Sequence, residues 1–359
     1  MAGTPTKKIK LPNRYVDTGK HFKGGFGEVQ ILHDQFLDRD VALKTIQDVK
    51  NFAQLKAEVL SISEIRSKNV IEIFDLIFDS SGDLQGIVEE YLSGNDLTEF
   101  ADASYDKKRY LRAIYQIASG IADIHGHGLV HRDVKLNNMK LDGEKIIKLF
   151  DFGLSSKDSK HTTHDGKATI IYAAPELYSP PLKVETTLDI YAFGICCWLL
   201  GTSIANVPKE LLATPPQKSG PAPSIAKIDA SLPADLVSIL DATLNPNPAS
   251  RPSMSQVRDI VGKHLLFGSH RAWLTGGYHI SAPNQSVSVG SPTVGVISIT
   301  YDGIRFYVSS ITGEVFVNNS ALSVGDELPG SCVITIGGSA LGAMRNFVQF
   351  NVSHPEIIL

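Results

Sequence analysis

Two short segments, LVHRDVKLNNMKL and KLFDFGLSS, constrain this chain more than any other part of its sequence. They carry Asp133, Asn138 and Asp151, which flank a predicted β-hairpin with an Asp-Gly turn at 142–143. Two carboxylates and an amide on loops around a hairpin suit Mg²⁺, which prefers oxygen ligands and bridges phosphates. Lys135 adds a cation where phosphate charge would develop. The two segments therefore predict a site for Mg²⁺ and a phosphate-bearing ligand.

A second candidate for phosphate binding lies near the start of the chain, in the stretch HFKGGFGEVQ. Gly24, Gly25 and Gly27 would let the backbone approach a ligand closely, but the same glycines suit a flexible turn between strands. The residues around this stretch alternate between apolar and polar and predict strands, one of which carries Lys44. An apolar stripe at spacings of three and four then predicts a helix that carries Glu58.

The rest of the chain divides into a helical part and a β-rich part. From Pro175 to about Leu266 the pattern is helical, apart from the proline-rich loop TPPQKSGPAPS. The most apolar run, IYAFGICCWLLGTSIA, is shorter than the roughly 20 residues that a membrane-spanning helix needs, and it predicts a buried core helix. From Ser286 onward, short β-rich runs separated by glycine turns predict a separate all-β module.

Taken in order, the motifs are a glycine loop, a strand lysine, a helix glutamate, HRDxKxxN, DFG and APE. This order resembles the eukaryotic-type (Hanks-type) serine/threonine protein kinases over about residues 14–265. Each motif alone is a weak signal, whereas the ordered set is specific and favours the phosphate-binding interpretation of the glycine loop. The resemblance implies an α+β chain with a bilobal kinase fold and a small, sandwich-like all-β domain. The expected parts are an N-terminal tail (1–13), a β-rich N-lobe (14–92), a helical C-lobe (93–265), a linker (266–280) and an all-β interaction module (281–359).

The resemblance also implies roles for the charged residues. Lys44 would bind the α- and β-phosphates of ATP and pair with Glu58. Asn138 and Asp151 would hold Mg²⁺, and Lys135 would contact the γ-phosphoryl group.

The resemblance further implies that Asp133 orients the substrate hydroxyl and accepts its proton, with Thr169 placed beside it. Lys135 in the loop and Thr169 before Tyr172 are typical of kinases that act on serine and threonine in proteins. The residues expected to contact the nucleotide are Phe22, Lys23, Gly24, Gly25, Phe26, Gly27, Val29, Ala42, Lys44, Glu90 and Leu92.

Two residues depart from the family pattern. Phe22 stands where the glycine loop usually has its first glycine, and it is expected to stiffen the turn on the adenine side of the nucleotide. Glu89 falls at the gatekeeper position of the hinge segment (residues 87–92, IVEEYL), which is usually apolar or threonine. A buried carboxylate there needs a polar partner; otherwise the alignment is off by one residue.

Other resemblances concern structure and control. Glu176 would pair with Arg251, and Asp189 would brace the backbone of the catalytic loop. His131 would pack under the DFG phenylalanine, although HGHGLVH could also be considered as a metal site. Arg132 precedes the catalytic aspartate, a position that commonly pairs with a phosphorylated activation-loop residue. The candidates for phosphorylation are Thr162 and Thr163; the alternative is a solvated loop without a regulatory site.

The β module has a faint resemblance to the second half of a forkhead-associated domain, which binds phosphothreonine. The expected serine and histidine pair is missing, so a partner-docking β-sandwich with an unknown target is favoured over a phosphopeptide binder. The net charge of −4 gives no basic field for nucleic acid. With three cysteines, no apolar leader and no membrane span, a cytoplasmic location is expected.

These features predict an ATP- and Mg²⁺-dependent serine/threonine protein kinase that phosphorylates its own activation loop. The alternative is a scaffold that binds nucleotide but hardly turns over, because of Phe22 and Glu89. A phosphotransferase for small molecules is disfavoured by Glu176, Thr169 and the helices after them, which resemble a platform for protein substrates.

Overall fold

The computed structural model describes residues 9–24, 27–46, 52–102, 105–152, 170–179, 184–202 and 204–353. The chain divides into two compact units, residues 1–260 and 261–359. The first unit contains a β-rich lobe followed by a helical lobe, and the second is β-rich, which confirms the predicted fold class.

The β-rich lobe is a five-stranded antiparallel sheet with the order β1-β2-β3-β5-β4, and helix α1 (Phe52–Ser63) connects β3 to β4. The strands are β1 (Tyr15–Gly24), β2 (Gly27–Asp34), β3 (Arg39–Thr45), β4 (Ile73–Phe78) and β5 (Leu84–Glu90).

Alternation along β3 separates the core of this lobe from its functional face. Val41 and Leu43 are buried in a cluster with residues of β1, β2, β4 and β5. Because successive side chains of a strand point to opposite faces, Ala42 and Lys44 lie on the other face. Ile9 and Leu11 also pack against the Val41 cluster. The predicted tail of residues 1–13 is therefore wrong for these two residues, whose apolar side chains cover one face of the sheet.

The helical lobe begins with α2, whose N-terminus is capped by the side chain of Asp106, which accepts a hydrogen bond from the backbone N–H of Arg109 at 2.6 Å. Most of α3 is buried, as the apolar run predicted. No helix in the described part of the chain is long and apolar enough to cross a membrane. The helices from here onward are α2 (Lys107–Gly126), α3 (Thr186–Gly201), α4 (Lys209–Leu212), α5 (Ala234–Thr243) and α6 (Met254–Leu265).

A β-hairpin follows α2 and positions the predicted site. Strands β6 (Met139–Leu141) and β7 (Ile147–Leu149) pair antiparallel. The carboxylate of Asp142 closes the turn by accepting hydrogen bonds from the backbone N–H groups of Glu144 and Ile146. The hairpin predicted from the Asp-Gly turn is thus confirmed.

The second unit contains a three-stranded sheet with the order β10-β11-β12 and a six-stranded sheet with the order β14-β13-β15-β16-β8-β9. Buried apolar side chains from both sheets form one core, which makes the module a sandwich. The strands are β8 (Ala272–Leu274), β9 (Tyr278–Ile280), β10 (Ser286–Ser291), β11 (Gly295–Tyr301), β12 (Phe306–Thr312), β13 (Val315–Val317), β14 (Ser320–Ala321), β15 (Cys332–Ile336) and β16 (Asn346–Val352).

The predicted linker over residues 266–280 is wrong for its second half. Strand β8 pairs with β16, and β9 pairs with β8, so both belong to the sandwich. Leu274 and Ile280 are buried in its core. Strands of only three residues carry too little alternation to be recognised in the sequence.

Candidate active site

A cavity of about 370 Å³ lies between the sheet of the β-rich lobe and the hinge segment. It is lined by six of the residues expected to contact the nucleotide: Phe22, Val29, Ala42, Lys44, Glu90 and Leu92. Gly24 and Gly27 are paired at the end of β1 and β2, next to Lys23. Gly25 and Phe26 lie outside the described residues.

The cavity also contains residues that the sequence analysis did not identify. Ile31 follows Val29 by two positions on β2, so strand alternation could have predicted it. The others come from the hinge and the three residues after it, from the hairpin and the residue after it, and from the segment before β4. No local pattern identifies them: Ile71, Tyr91, Ser93, Gly94, Asn95, Lys140 and Phe150.

Lys44 on β3 forms an ion pair with Asp151, which follows the β6–β7 hairpin. Burial by itself would lower the pKa of Lys44, but the carboxylates of Glu89 and Asp151 raise it above its ordinary value. The side chain is therefore an ammonium group at neutral pH. The backbone of Glu58 lies in α1, while its side chain is outside the described part of the structure, so its pairing with Lys44 stays a prediction.

Asp133, Lys135 and Asn138 form one hydrogen-bonded group. Nζ of Lys135 donates to Oδ2 of Asp133 at 2.8 Å, and Nδ2 of Asn138 donates to the same oxygen at 2.8 Å. The backbone N–H of Phe150 donates to the carbonyl of Asn138 at 3.0 Å. This last bond joins the loop that carries Asp133 to the residue immediately before Asp151. Asp133 and Asp151, which are separated in the sequence by the hairpin, are thereby held on adjoining segments.

Asp189 braces the backbone of this loop. Its buried carboxylate accepts hydrogen bonds from the backbone N–H groups of His131 at 2.7 Å and Arg132 at 2.9 Å. Nε2 of His125 lies 3.0 Å from Oδ2 of the same carboxylate. His131 stacks on Phe152 with 4.7 Å between ring centroids, and burial lowers the pKa of His131, so the imidazole is neutral. His125 and His131 thus have structural partners within the fold.

The predicted ion pair between Glu176 and Arg251 is present and is bidentate. Nη1 and Nη2 of Arg251 donate to the two carboxylate oxygens at 2.6 and 2.8 Å. The guanidinium also donates to the carbonyls of Asn245 and Thr187, so this single side chain links three segments of the helical lobe. Thr162, Thr163 and Thr169 lie outside the described residues.

Glu89 faces the cavity rather than the opposite side of the sheet. It pairs with Ala42 in the register of β3 and β5, which places both on the same face as Lys44. The alignment of the hinge segment therefore needs no shift. Burial raises the pKa of Glu89 to about 7, and the nearby ammonium of Lys44 limits the rise.

The raised pKa of Glu89 predicts how stability depends on pH. Above pH 4.5 the unfolded chain has lost this proton, whereas the folded protein keeps it until about pH 7. Since the folded state then binds more protons, the free energy of unfolding falls as pH rises between these values, by at most about 3 kcal/mol. We expect Glu89→Gln, which cannot titrate, to remove this part of the slope in urea unfolding measured from pH 5 to pH 8.

The matched control for this measurement is Glu144→Gln in the exposed hairpin turn. It should leave the pH dependence of the unfolding free energy as in the wild type. Equal slopes for Glu89→Gln and the wild type would show that Glu89 is ionised in the folded protein throughout this pH range.

Comparison with known proteins identifies the family. A model of the protein kinase domain matches residues 17–260. The chain belongs to the protein kinase family. This confirms the resemblance to eukaryotic-type serine/threonine kinases that the ordered motifs indicated.

Relatives of this kinase include proteins of bacteria and of an animal. It is 33% identical to serine/threonine-protein kinase PrkC of Bacillus subtilis over 50% of this chain and 29% of that protein. It is 26% identical to the putative mitogen-activated protein kinase kinase kinase 7-like protein of Drosophila melanogaster over 73% of this chain and 68% of that protein. It is also 26% identical to serine/threonine-protein kinase pkn3 of Myxococcus xanthus over 65% of this chain and 46% of that protein. The chain therefore spans less than half the length of two of these three relatives.

Proposed function

We propose that this kinase transfers the γ-phosphoryl group of ATP to serine and threonine hydroxyls of proteins, with Mg²⁺ as cofactor. The observation that carries the proposal is that Asp133 shares one hydrogen-bonded group with Lys135 and Asn138, while Asn138 is bonded to the segment of Asp151. A carboxylate for the hydroxyl, a cation for the phosphoryl group and oxygen ligands for a metal thus come from adjoining segments.

The donor chemistry of the site suits Mg²⁺. Because Nδ2 of Asn138 is bonded to Asp133, the amide oxygen is the atom of Asn138 suited to bind a cation. Asp151 supplies a carboxylate oxygen, the other ligand type that Mg²⁺ prefers. When bound, the ion would offset negative charge on the phosphates.

The protein side chains would contribute position and charge. Lys44 would bind the phosphates at the inner end of the cavity, and Asp133 would orient the acceptor hydroxyl and take its proton. Lys135, bonded to Asp133, would stabilise charge on the transferred group. Phosphoryl transfer has a loose transition state with charge spread over its oxygens, so such positioning accounts for most of the catalysis.

The test is incubation with γ-labelled ATP and Mg²⁺ together with matched peptides that contain serine, threonine or tyrosine, followed by mapping of the modified residues. We expect labelling of serine and threonine that depends on Mg²⁺. Labelling confined to tyrosine would contradict the substrate class. Nucleotide binding without transfer would support the second candidate, a scaffold, which is favoured by the ring of Phe22 in the cavity where the family has glycine.

We also propose that the kinase phosphorylates its own activation segment. By the family resemblance, phosphate on Thr162 or Thr163 would pair with Arg132 through charge-assisted hydrogen bonds. We expect Thr162→Ala combined with Thr163→Ala to slow substrate phosphorylation at least tenfold, about 1.4 kcal/mol of barrier. Mass spectrometry of the purified active protein provides the second measurement. Absence of phosphate between Ser155 and Thr169, with a double variant as fast as the wild type, would place the control elsewhere.

For the β module, we propose a role in docking a protein partner, with the kinase acting in the cytoplasm. The support is its fold as a separate sandwich with its own core. Phosphopeptide binding is the less favoured alternative, because the serine and histidine pair of the forkhead-associated pattern is missing. NMR titration of the isotope-labelled full chain with phosphothreonine peptides and with the same peptides unmodified tests phosphopeptide binding. Chemical-shift changes that require the phosphate would favour phosphopeptide binding over general partner docking.

A further inference from the structure

A largely buried ion pair joins the hinge segment to strand β7, outside the group of catalytic side chains. Nζ of Lys148 lies 3.0 Å from Oε2 of Glu90, and the two side chains are only 10% and 21% exposed. The backbone N–H of Glu72 also points to the Glu90 carboxylate, at 3.4 Å. An ion pair so enclosed is screened little by solvent, and breaking it would leave a charge without compensation.

Backbone hydrogen bonds connect the same two regions by a second route. The segment before β4 pairs with β7, since Leu149 donates to the carbonyl of Asn69 and Ile71 donates to the carbonyl of Leu149, both at 2.9 Å. The same segment reaches the hinge, because Glu90 donates to the carbonyl of Glu72 at 2.9 Å. The pair of Lys148 and Glu90 therefore closes a ring of contacts among β7, residues 69–72 and the end of β5.

The two partners of the ion pair belong to two different segments that contribute residues to the cavity. Glu90 is the last residue of β5 and lines the cavity on the hinge side. Lys148 precedes Asp151 by three positions on the strand that leads to it, and Asp151 lines the cavity beside Lys44. A change in the ion pair would thus alter the position of the hinge relative to the segment that carries Asp151.

We propose that Lys148 is a positioning residue for nucleotide binding, which acts through Glu90 to hold the hinge segment at a fixed position relative to Asp151. This inference rests on the proposed kinase function only for its kinetic test. Without Lys148, the Glu90 carboxylate loses its ionic partner and turns outward toward solvent, which moves the hinge segment that lines the cavity. Lys148 itself does not line the cavity.

The experiment compares Lys148→Met with Lys148→Arg, with Lys145→Met in the exposed turn of the same hairpin as the control. We expect Lys148→Met to raise the KM for ATP at least fivefold while kcat at saturating ATP stays within twofold of wild type. Lys148→Arg, which keeps the charge, should have a KM for ATP within twofold of the wild-type value. Lys145→Met should leave this KM unchanged. Glu90→Gln should resemble Lys148→Met, and the double variant should be no worse than either single variant, because both remove the same interaction.

A direct measurement of nucleotide binding tests this proposal even if the proposed kinase activity is wrong. Calorimetry with ADP and Mg²⁺ should show the same fivefold loss of affinity in Lys148→Met, whether or not the wild-type protein turns over. An unchanged KM and an unchanged ADP affinity would overturn the proposal. So would a fall in kcat with no change in KM, or a Lys148→Arg variant as impaired as Lys148→Met. If Lys148→Met does not fold, the uncharged and nearly isosteric Glu90→Gln provides the same comparison.

Discussion

We expect Asp133→Asn to lower kcat by about 10²- to 10⁴-fold, the range typical of a lost general base, while nucleotide affinity stays within a few-fold of wild type. Asp133 is held by hydrogen bonds from Lys135 and Asn138. Asparagine keeps the shape of the side chain but loses the negative charge and the basic oxygen that would accept the hydroxyl proton. Single-turnover kinetics and calorimetry with ADP and Mg²⁺ measure the two effects separately.

The control for this variant is Asp38→Asn, in a turn of the β-rich lobe where the aspartate side chain is 97% exposed. It should leave both kcat and nucleotide affinity unchanged. An Asp133→Asn protein that keeps more than about a tenth of the wild-type rate would contradict the assignment of Asp133 as the general base.

The second large effect is expected from Asp151→Asn. This change removes a carboxylate that pairs with Lys44 and that we propose as a ligand of Mg²⁺. We expect the rate of phosphoryl transfer to fall at least a hundredfold and the affinity for ADP to lose its dependence on Mg²⁺. The ammonium of Lys44 remains next to Glu89, so the cavity keeps a cation and ADP should still bind without metal.

Calorimetric titration of ADP with and without Mg²⁺ tests this directly, and circular dichroism checks that the variant is folded. A variant whose ADP affinity responds to Mg²⁺ as the wild type does would show that other groups hold the ion. In that case Asp151 would serve mainly as the ionic partner of Lys44.

Local signals in the sequence predicted much of the fold. The alternation around Lys44 predicted a strand, the spacing around Glu58 a helix, and the Asp-Gly pair at 142–143 a hairpin, and all three are present. Each signal depends on residues only a few positions apart, because turn geometry and the periods of helices and strands act over that range. The short strands β8 and β9 give no such signal, so the sequence predicts a linker where the structure has two strands.

The sequence by itself also determined which chemical groups the site contains, since the type and order of Lys44, Asp133, Asn138 and Asp151 are properties of the chain. Only the tertiary structure decided which distant side chains meet, because such contacts depend on strand register and on the packing of separate segments. It placed Glu89 on the face of Lys44, which a shift of one residue would have reversed. It likewise brought Lys148 to Glu90, residues that are 58 positions apart and that no local pattern connects.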